Sequence, residues 1–282
     1  WVTSLIQEAE ASQKRINEFL KQTPDIINTT ELESKIEGTI TFKNVHFTYE
    51  DTNIEALKGI SFEVQKGQTL AIIGNTGSGK STILELIGRL YDVQKGQIEV
   101  DGQTIQNLNL NSLRSSVGFV PQDPFLFSDS LRNNIKFGKN KASDDEVVEA
   151  SKMAVVHDNI TNFKNGYDTV LGERGITLSG GQKQRISIAR AFIKNPQILL
   201  LDDCLSAVDT ETEEQILNNI ELVTKGKTTI IVSHRISSAK NADIIVVLNN
   251  GIITQQGSHV QLINVEGYYK ELYQNQLREI SS

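Results

Sequence analysis

Residues 74–81 read Gly-Asn-Thr-Gly-Ser-Gly-Lys-Ser, which matches the phosphate-binding loop pattern G-x-x-x-x-G-K-[ST] in full. The apolar stretch 70–73 enters the loop as a predicted strand, and residues 82–90 leave it with helical spacing. A glycine loop between a strand and a helix N-terminus directs backbone N–H groups to one spot, where the helix dipole also favours an anion. A glycine-rich turn without a ligand would not need the Lys-Ser pair. The sequence therefore predicts that this chain binds a nucleoside triphosphate.

Within this loop two side chains have separate roles. Lys80 is expected to reach the β- and γ-phosphates, and the Ser81 hydroxyl is expected to bind Mg²⁺. The residues expected to hold the nucleotide are Gly74, Asn75, Thr76, Gly77, Ser78, Gly79, Lys80, Ser81 and Thr82.

Length, charge and cysteine content limit the class of protein. The 282 residues can bury a large core, as one large or two modest domains. The net charge of −7 argues against a nucleic-acid partner, which would need a basic face. The single cysteine, Cys204, excludes an intrachain disulfide and suits a reducing compartment. No apolar stretch approaches the roughly 20 residues needed to cross a bilayer. The chain starts at Trp1 without a signal peptide, and we expect it to be a fragment of a longer protein.

The order of predicted elements indicates an α/β fold. Residues 1–22 are expected to form an amphipathic helix ended by Pro24, and the polar residues 23–37 form a linker to a domain at 38–282. Residues 129–195 are mainly helical, and the tail 258–279 is helical again. The predicted strands are 39–49, 60–64, 70–73, 97–100, 117–120, 198–201, 228–232, 244–248 and one around 252–253.

A carboxylate follows one of these apolar strands. Asp202 comes directly after the run 198–201, and such a carboxylate is the expected partner of a phosphate loop, where it holds Mg²⁺ through water. A surface aspartate after a core strand is the alternative. The phosphate loop upstream favours the metal site.

A second glycine motif, Leu-Ser-Gly-Gly-Gln, lies at residues 178–182 and opens the predicted helix 182–193. Serine and two glycines before a helix make an anion site, although an ordinary capped helix could have the same residues. The phosphate loop, Gln122, this motif, Asp202 and His234 occur in one order along the chain. That order and spacing closely resemble the nucleotide-binding domain of ATP-binding cassette (ABC) transporters, over about residues 38–275.

The resemblance implies a P-loop NTPase fold of the ABC type. Such a fold has a RecA-like mixed sheet as its core, an antiparallel β subdomain and an inserted helical subdomain, here at about 125–195. The implied ligands are ATP and Mg²⁺, and the metal-site residues are Ser81, Gln122 and Asp202.

The resemblance also implies roles for single residues. Tyr49 occupies the position of the aromatic ring that stacks on adenine, although a strand aromatic that packs in the core is the alternative. Gln122 corresponds to the glutamine that senses Mg²⁺ and the membrane domain, and Asp209 lies in the loop that communicates across the dimer. His234 corresponds to the switch histidine at the γ-phosphate. The remaining histidines, His46, His157 and His259, match no motif and are expected to be structural or exposed.

In this family two domains face each other head to tail, and each ATP lies between the phosphate loop of one and the signature motif of the other. Lys80 of one domain would thus oppose Ser179 of its partner. The signature residues implied to contact the partner's nucleotide are Ser179, Gly180, Gly181 and Gln182. ATP would then shift the population toward the closed pair, and hydrolysis would separate it.

The sequence departs from the family at residue 203. The family usually has a glutamate there as general base, whereas this chain has Asp203, which is shorter by one methylene, about 1.5 Å. A general base must reach the proton it takes, and this contribution is typically worth about 10²–10⁴-fold in rate. Aspartate is also found in the degenerate site of asymmetric ABC exporters. We therefore expect slow hydrolysis at this site, with a heterodimer favoured; a homodimer in which Asp203 suffices is the alternative.

Three further stretches resemble exporters. Gly172-Glu173-Arg174-Gly175 is similar to a loop that touches the coupling helices, although a salt-bridged surface turn is the alternative. Residues 124–135 resemble the exporter version of the segment after Gln122, and helix 1–22 resembles the end of the last transmembrane helix. A transmembrane domain of the same polypeptide and a position at the cytoplasmic face of the cell membrane are therefore implied. A soluble ABC ATPase and a regulatory ATP-binding module are the alternative functions.

Overall fold

The computed structural model describes residues 1–172 and 178–281, with ten strands and eleven α-helices in these ranges. The strands are β1 (Ile40–Tyr49), β2 (Ile54–Val64), β3 (Thr69–Ile73), β4 (Lys95–Val100), β5 (Gln103–Thr104), β6 (Val117–Val120), β7 (Ile198–Asp202), β8 (Thr228–Ser233), β9 (Ile244–Asn249) and β10 (Ile252–Gly257). The helices are α1 (Val2–Leu20), α2 (Lys80–Ile87), α3 (Leu110–Ser116), α4 (Leu131–Lys136), α5 (Asp144–Met153), α6 (His157–Thr161), α7 (Gly180–Phe192), α8 (Thr210–Val223), α9 (Ile236–Ala239), α10 (His259–Leu262) and α11 (Tyr268–Ser281).

The strands form two sheets. A four-stranded antiparallel sheet has the order β2-β1-β4-β5. A six-stranded sheet has the order β10-β9-β3-β8-β7-β6, in which all neighbours are parallel except β10 and β9. The predicted α/β class, with a mixed sheet beside an antiparallel one, is confirmed.

The central strands β3, β7 and β8 are buried along nearly their whole length, as expected for parallel strands covered on both faces. One apolar core lies between the two sheets and includes Phe42, Leu70 and Ile83. A second core joins β7 to the helices of residues 131–192, through Leu201 and Ile186 among others. These two cores fix the carboxyl ends of β3, β7 and β8 at a common edge of the mixed sheet.

The N-terminal helix α1 and the segment after it differ in their contacts with the rest of the domain. Helix α1 has no buried residue, whereas the segment 28–39 is attached to the domain by hydrogen bonds. Asn28 Oδ1 accepts a bond from the Leu110 N–H at 2.8 Å, and the Thr29 hydroxyl donates to the Gln106 carbonyl at 2.6 Å. The Asp101 carboxylate accepts the N–H groups of Glu37, Gly38 and Thr39, at 2.7, 3.0 and 2.9 Å. The polar segment predicted as a linker is therefore docked over its second half.

Several elements differ from the sequence-based expectation. Strand β2 begins at Ile54, six residues before the predicted start, because its first half pairs with β1 although its own side chains are mostly exposed. Helices α3 and α8 were not predicted, and the helical tail is two helices separated by residues 263–267. None of the described helices is long and apolar enough to span a membrane.

Candidate functional site

A cleft of about 570 Å³ opens where β3, β7 and β8 end. Most of the residues predicted to bind the nucleotide or the metal line this cleft. They are Tyr49, Thr76, Gly77, Gly79, Lys80, Ser81, Thr82, Gln122, Asp202, Asp203 and His234. Gln122 and Asp203 are 81 positions apart along the chain, and they meet at this cleft because β6 and β7 lie side by side in the sheet.

The loop before α2 can only be built with glycine at two positions. A Cβ on Gly74 would lie 2.1 Å from the Leu248 carbonyl oxygen, and one on Gly79 would lie 2.5 Å from that of Ala56. Gly79 is also the N-cap of α2, with φ +101° and no side-chain capping bond. The first N–H groups of α2 are thus left for another acceptor, as an anion-binding helix N-terminus requires.

Lys80 is buried to 94% at the first turn of α2, since only 6% of the side chain is exposed. Its ammonium donates hydrogen bonds to the carbonyls of Gly74 and Asn75 at 2.9 and 2.8 Å. Burial lowers the pKa of Lys80, while Asp203 and Asp202 oppose that shift. The direct partners of the buried ammonium are neutral carbonyls, with two carboxylates nearby. An anionic ligand of higher charge density than these carbonyls would therefore be a stronger partner for it. Ser78 Oγ is buried beside this loop without a hydrogen-bond partner.

The oxygen atoms expected at a magnesium site lie together in the cleft. Burial raises the pKa of the Asp202 carboxyl, and the nearby Ser81 hydroxyl opposes that shift. Gln122 lines the same cleft. Among residues 1–172 and 178–281 no group of three or more His, Cys, Asp or Glu side chains could hold a metal alone. A hydroxyl, an amide and a carboxylate fit Mg²⁺ bound together with phosphate oxygens and water.

Asp203 and His234 are joined through the main chain. Asp203 has a left-handed backbone with φ +42°, and its N–H donates to the Val232 carbonyl at 2.9 Å. Burial raises the pKa of the Asp203 carboxyl, and the nearby His234 and Lys80 oppose that shift. Burial lowers the pKa of His234, and the nearby Lys80 adds to this shift. The imidazole is thus neutral near pH 7 and has one nitrogen able to accept a proton.

Tyr49 packs against other aromatic rings and also lines the cleft. Its ring packs edge-on against Phe47 and Tyr91, with centroids 4.9 and 5.4 Å away. Its hydroxyl donates to Glu85 at 2.7 Å and lies 2.9 Å from the Thr82 hydroxyl. The half-buried ring still lines the cleft, so an adenine could lie against the part that Phe47 and Tyr91 leave uncovered.

The signature residues do not line this cleft. Ser179 caps α7 and forms a reciprocal pair with Gln182, at 3.2 and 3.0 Å. A Cβ on Gly181 would lie 2.9 Å from the Ala207 carbonyl oxygen, so the motif packs against the loop that follows Cys204. Asp209 at the end of that loop caps α8 by accepting the Thr212 N–H at 3.0 Å. Ser179, Gly180, Gly181, Gln182 and Asp209 therefore form a separate surface of the same chain.

Cleft residues that the sequence did not single out come from β2 and the turn between β9 and β10. Gly251 donates its N–H to the Ser78 carbonyl at 3.0 Å, and its own carbonyl accepts from Lys58 at 2.9 Å. This turn thus holds the phosphate loop against β2. The Asn-Gly pair 250–251 is a turn signal that could have located it.

The histidines outside the motifs and Cys204 do not line the cleft, and they occupy packed, hydrogen-bonded or partly exposed positions of the fold. His157 and His259 each bond to a tyrosine hydroxyl, at 2.9 and 2.8 Å, and His46 is partly exposed beside Glu55. Cys204 is buried at the end of β7, as expected. Residues 173–175 of the predicted Gly-Glu-Arg-Gly loop lie outside the described residues.

A second, apolar groove of about 280 Å³ lies on the far side of Gln122, between α2 and α7. Its wall includes Leu90, Phe119 and Phe137, which are 48%, 37% and 60% exposed. Arg190 spans the groove, with its guanidinium 5.7 and 5.5 Å from the ring centroids of Phe127 and Phe137.

Comparison with known proteins gives one consistent family. The sequence pattern of the family described as ABC transporter matches residues 57–206. The chain is 48% identical over 256 residues to ATP-binding cassette sub-family B member 6 of Xenopus tropicalis, covering 91% of this chain and 30% of that protein. It is 49% identical over 237 residues to a putative multidrug export ATP-binding/permease protein of Staphylococcus aureus, covering 84% of this chain and 41% of that protein.

Two further relatives match almost the whole chain. The ABC transporter ATP-binding protein YknU of Bacillus subtilis is 44% identical over 282 residues, covering 99% of this chain and 48% of that protein. The solved structure of a bacterial Atm1-family ABC exporter with ATP bound aligns with a TM-score of 0.92 at 40% identity, covering 98% of this chain and 49% of that one. The chain thus spans less than half the length of the relatives it matches.

Proposed function

The chain belongs to the ABC transporter family, and we propose that it is the ATP-binding and ATP-hydrolysing cassette that powers an exporter. The observation that carries this proposal is the single cleft that collects Lys80, Ser81, Gln122, Asp202, Asp203 and His234. The exporter assignment is supported by the relatives, whose names describe a multidrug export protein and an Atm1-family exporter.

Each side chain in the cleft has a distinct task in this proposal. Lys80 and the uncapped N–H groups of α2 hold the triphosphate, and Ser81, Gln122 and Asp202 hold the Mg²⁺ site. Bound Mg²⁺ supplies charge neutralisation at the β- and γ-phosphate oxygens. His234 contacts the γ-phosphate, and Asp203 orients the attacking water.

The site is completed by a second cassette. The signature Ser179 is exposed on a surface separate from the cleft of its own chain, which supports a pair in which each signature motif covers the partner's nucleotide. Nucleotide held between two chains would favour the closed pair by its differential affinity for that state.

We further propose slow hydrolysis at this chain's own cleft, with a heterodimeric partner. Two observations support this. The Asp203 side chain is one methylene shorter than glutamate, by about 1.5 Å, and its main chain is held in place because its N–H donates to the Val232 carbonyl at 2.9 Å. Both keep the carboxylate near the main chain and away from a water at the γ-phosphate.

A transmembrane domain of the same polypeptide is the proposed second partner. The length of the relatives leaves room for it, and helix α1 and the aromatic groove between α2 and α7 are unpaired apolar surfaces of the described chain. In this arrangement the cassette lies at the cytoplasmic face of the membrane.

The deciding experiment is the ATPase rate at this chain's own cleft, measured for Asp203→Glu in the assembled transporter with the partner's own site inactivated. Asp145→Glu, an exposed position in α5, is the matched control. We expect the rate to rise about tenfold or more in Asp203→Glu, which is part of the 10²–10⁴-fold typical of a general base. The control should leave the rate unchanged. A fast wild-type site that gains nothing from glutamate would contradict slow turnover. Retention of ATP without any phosphate release would contradict hydrolysis altogether and favour a regulatory module.

A further inference from the structure

A side chain of the C-terminal helix α11 forms hydrogen bonds with the main chain at His234. Gln276 Nε2 donates to the His234 carbonyl at 2.9 Å, and Gln276 Oε1 accepts the Ile236 N–H at 2.8 Å. The amide thus spans the two peptide groups on either side of Arg235, from a position 42 residues further along the chain.

Helix α11 holds Gln276 at a fixed place relative to the phosphate-loop strand. Tyr269 in its first turn is fully buried in a cluster with Ile73 of β3 and Ile236 of α9. The Tyr269 hydroxyl is also bonded to His259 Nδ1 at 2.8 Å. Residues seven apart lie two turns along the same helix face, so the packing of Tyr269 aims Gln276 at the segment after β8.

The same segment is held from its other side by buried charge. Glu213 of α8 is 2% exposed and binds the Arg235 guanidinium. It also accepts the hydroxyls of Ser237 and Ser238 at 2.7 and 3.0 Å. Arg235 donates in addition to the Ser206 carbonyl at 3.2 Å, in the loop that contacts the signature motif.

The contacts of His234 itself therefore come from two residues. Its carbonyl accepts the Gln276 amide, and the Asp203 carboxylate lies near it at the end of β7. Because Gln276 holds the peptide groups that follow His234, it limits the Cα–Cβ direction of His234 and leaves mainly the side-chain torsions to place the imidazole.

We propose that Gln276 is a positioning residue that aims the His234 imidazole at the γ-phosphate. This inference rests on the proposed function, since it assigns a rate effect to a residue outside the cleft. Four other side chains attach α11 to the apolar core, namely Tyr268, Tyr269, Leu272 and Tyr273. The Gln276 amide can therefore serve to hydrogen-bond the main chain beside His234.

The test uses the assembled transporter with hydrolysis at the partner's own site inactivated. The variant is Gln276→Met, which keeps the length of the side chain and removes both hydrogen bonds. Gln274→Met is the control, because Gln274 is exposed on the same helix. We expect kcat of Gln276→Met to fall about tenfold in single-turnover hydrolysis, with KM for ATP changed less than twofold. The reason is that a displaced catalytic group lowers the rate without weakening ground-state binding. The control should match the wild type in both constants.

A double-mutant cycle separates positioning from a general structural effect. In a His234→Ala background Gln276→Met should lower kcat by less than twofold, because the group through which it acts is gone. An equal loss in both backgrounds, or no loss in either, would overturn the inference.

A second measurement does not depend on turnover. In the histidine NMR spectrum of the 282-residue chain, Gln276→Met should shift the ring signals of His234 and leave those of His157 in place. Unchanged His234 signals would also overturn the inference. A wild-type protein that binds no ATP would instead refute the proposed function, whatever the spectrum of Gln276→Met.

Discussion

Asp101 provides a quantitative test of how the segment after α1 is attached. Its carboxylate accepts three backbone N–H groups, from Glu37, Gly38 and Thr39, at 2.7–3.0 Å. Asp101 also has a left-handed backbone, with φ +52°. Loss of the carboxylate and removal of the strained Cβ therefore have separable effects at one position.

The magnitudes follow from these contacts. A hydrogen bond to a charged group contributes about 1.5–3 kcal/mol, and three that share one partly exposed carboxylate do not add, so Asp101→Ala should cost about 2 kcal/mol. Asp101→Gly should cost about 1 kcal/mol, since removal of the Cβ at positive φ returns about 1 kcal/mol. Asp101→Asn should cost about 1 kcal/mol, because its oxygen can still accept from Gly38 and Thr39 and asparagine tolerates this backbone.

The assay is urea unfolding at 25 °C, combined with native-state hydrogen exchange of the amides of residues 37–39. We expect Asp101→Ala to be more destabilising than Asp101→Gly and Asp101→Asn, with faster exchange at these three amides and the protection of β7 and β8 kept. Asp25→Asn, at an exposed position of the same segment, is the control. Equal unfolding midpoints for Gly and Ala would refute the strain argument, and unchanged exchange at residues 37–39 would refute the attachment.

Three further predictions concern the cleft. Lys80→Ala should weaken ATP binding at least tenfold by isothermal titration calorimetry, because a charge-assisted contact of about 1.5–3 kcal/mol is removed; unaltered affinity would contradict the site. Gly74→Ala should abolish nucleotide binding, since its Cβ would lie 2.1 Å from a carbonyl oxygen, whereas Gly77→Ala, whose Cβ meets nothing within 4 Å, should cost only about 1 kcal/mol of stability at φ +77°. His234 should titrate below its ordinary 6.5 by NMR. The unfolded chain then binds that proton more tightly, so this contribution to the free energy of unfolding falls as the pH drops below about 6.5; a His234 pKa at or above 6.5 would contradict the burial argument.

The parts of the fold predicted best were those with strong local patterns. The runs 198–201, 228–232 and 244–248 became β7, β8 and β9 with shifts of one residue or less at each end, because strands buried on both faces must be apolar throughout. The phosphate loop was equally clear, since its glycines are required by close backbone contacts such as that of Gly74 with Leu248.

Elements with weaker patterns were missed for different reasons. Helix α8 has a capping aspartate, Asp209, and buried Ile216 and Ile220 at helical spacing, so the signal was present and was overlooked. Helix α3 has seven residues, of which only Leu110 and Leu113 are buried, and so gives little periodicity.

Long-range polar contacts could not be predicted from the sequence. Asp101 holds residues more than 60 positions earlier, and Gln276 holds His234 from 42 positions later. Neither contact leaves a local pattern, because a single polar side chain on a loop or a helix has no periodicity. The docked character of residues 28–39 and the attachment of His234 therefore required the three-dimensional structure.

The burial of Cys204 has a practical consequence. It is the chain's one cysteine, its side chain is 2% exposed, and burial raises the pKa of its thiol, so it should not react with maleimide reagents. In Thr76→Cys or Ser179→Cys, both at exposed positions, the new cysteine would then be labelled alone, and Cys204 need not be replaced. Fluorophores or spin labels at these two sites, on separate copies, would report the distance between cassettes as nucleotide is added and consumed.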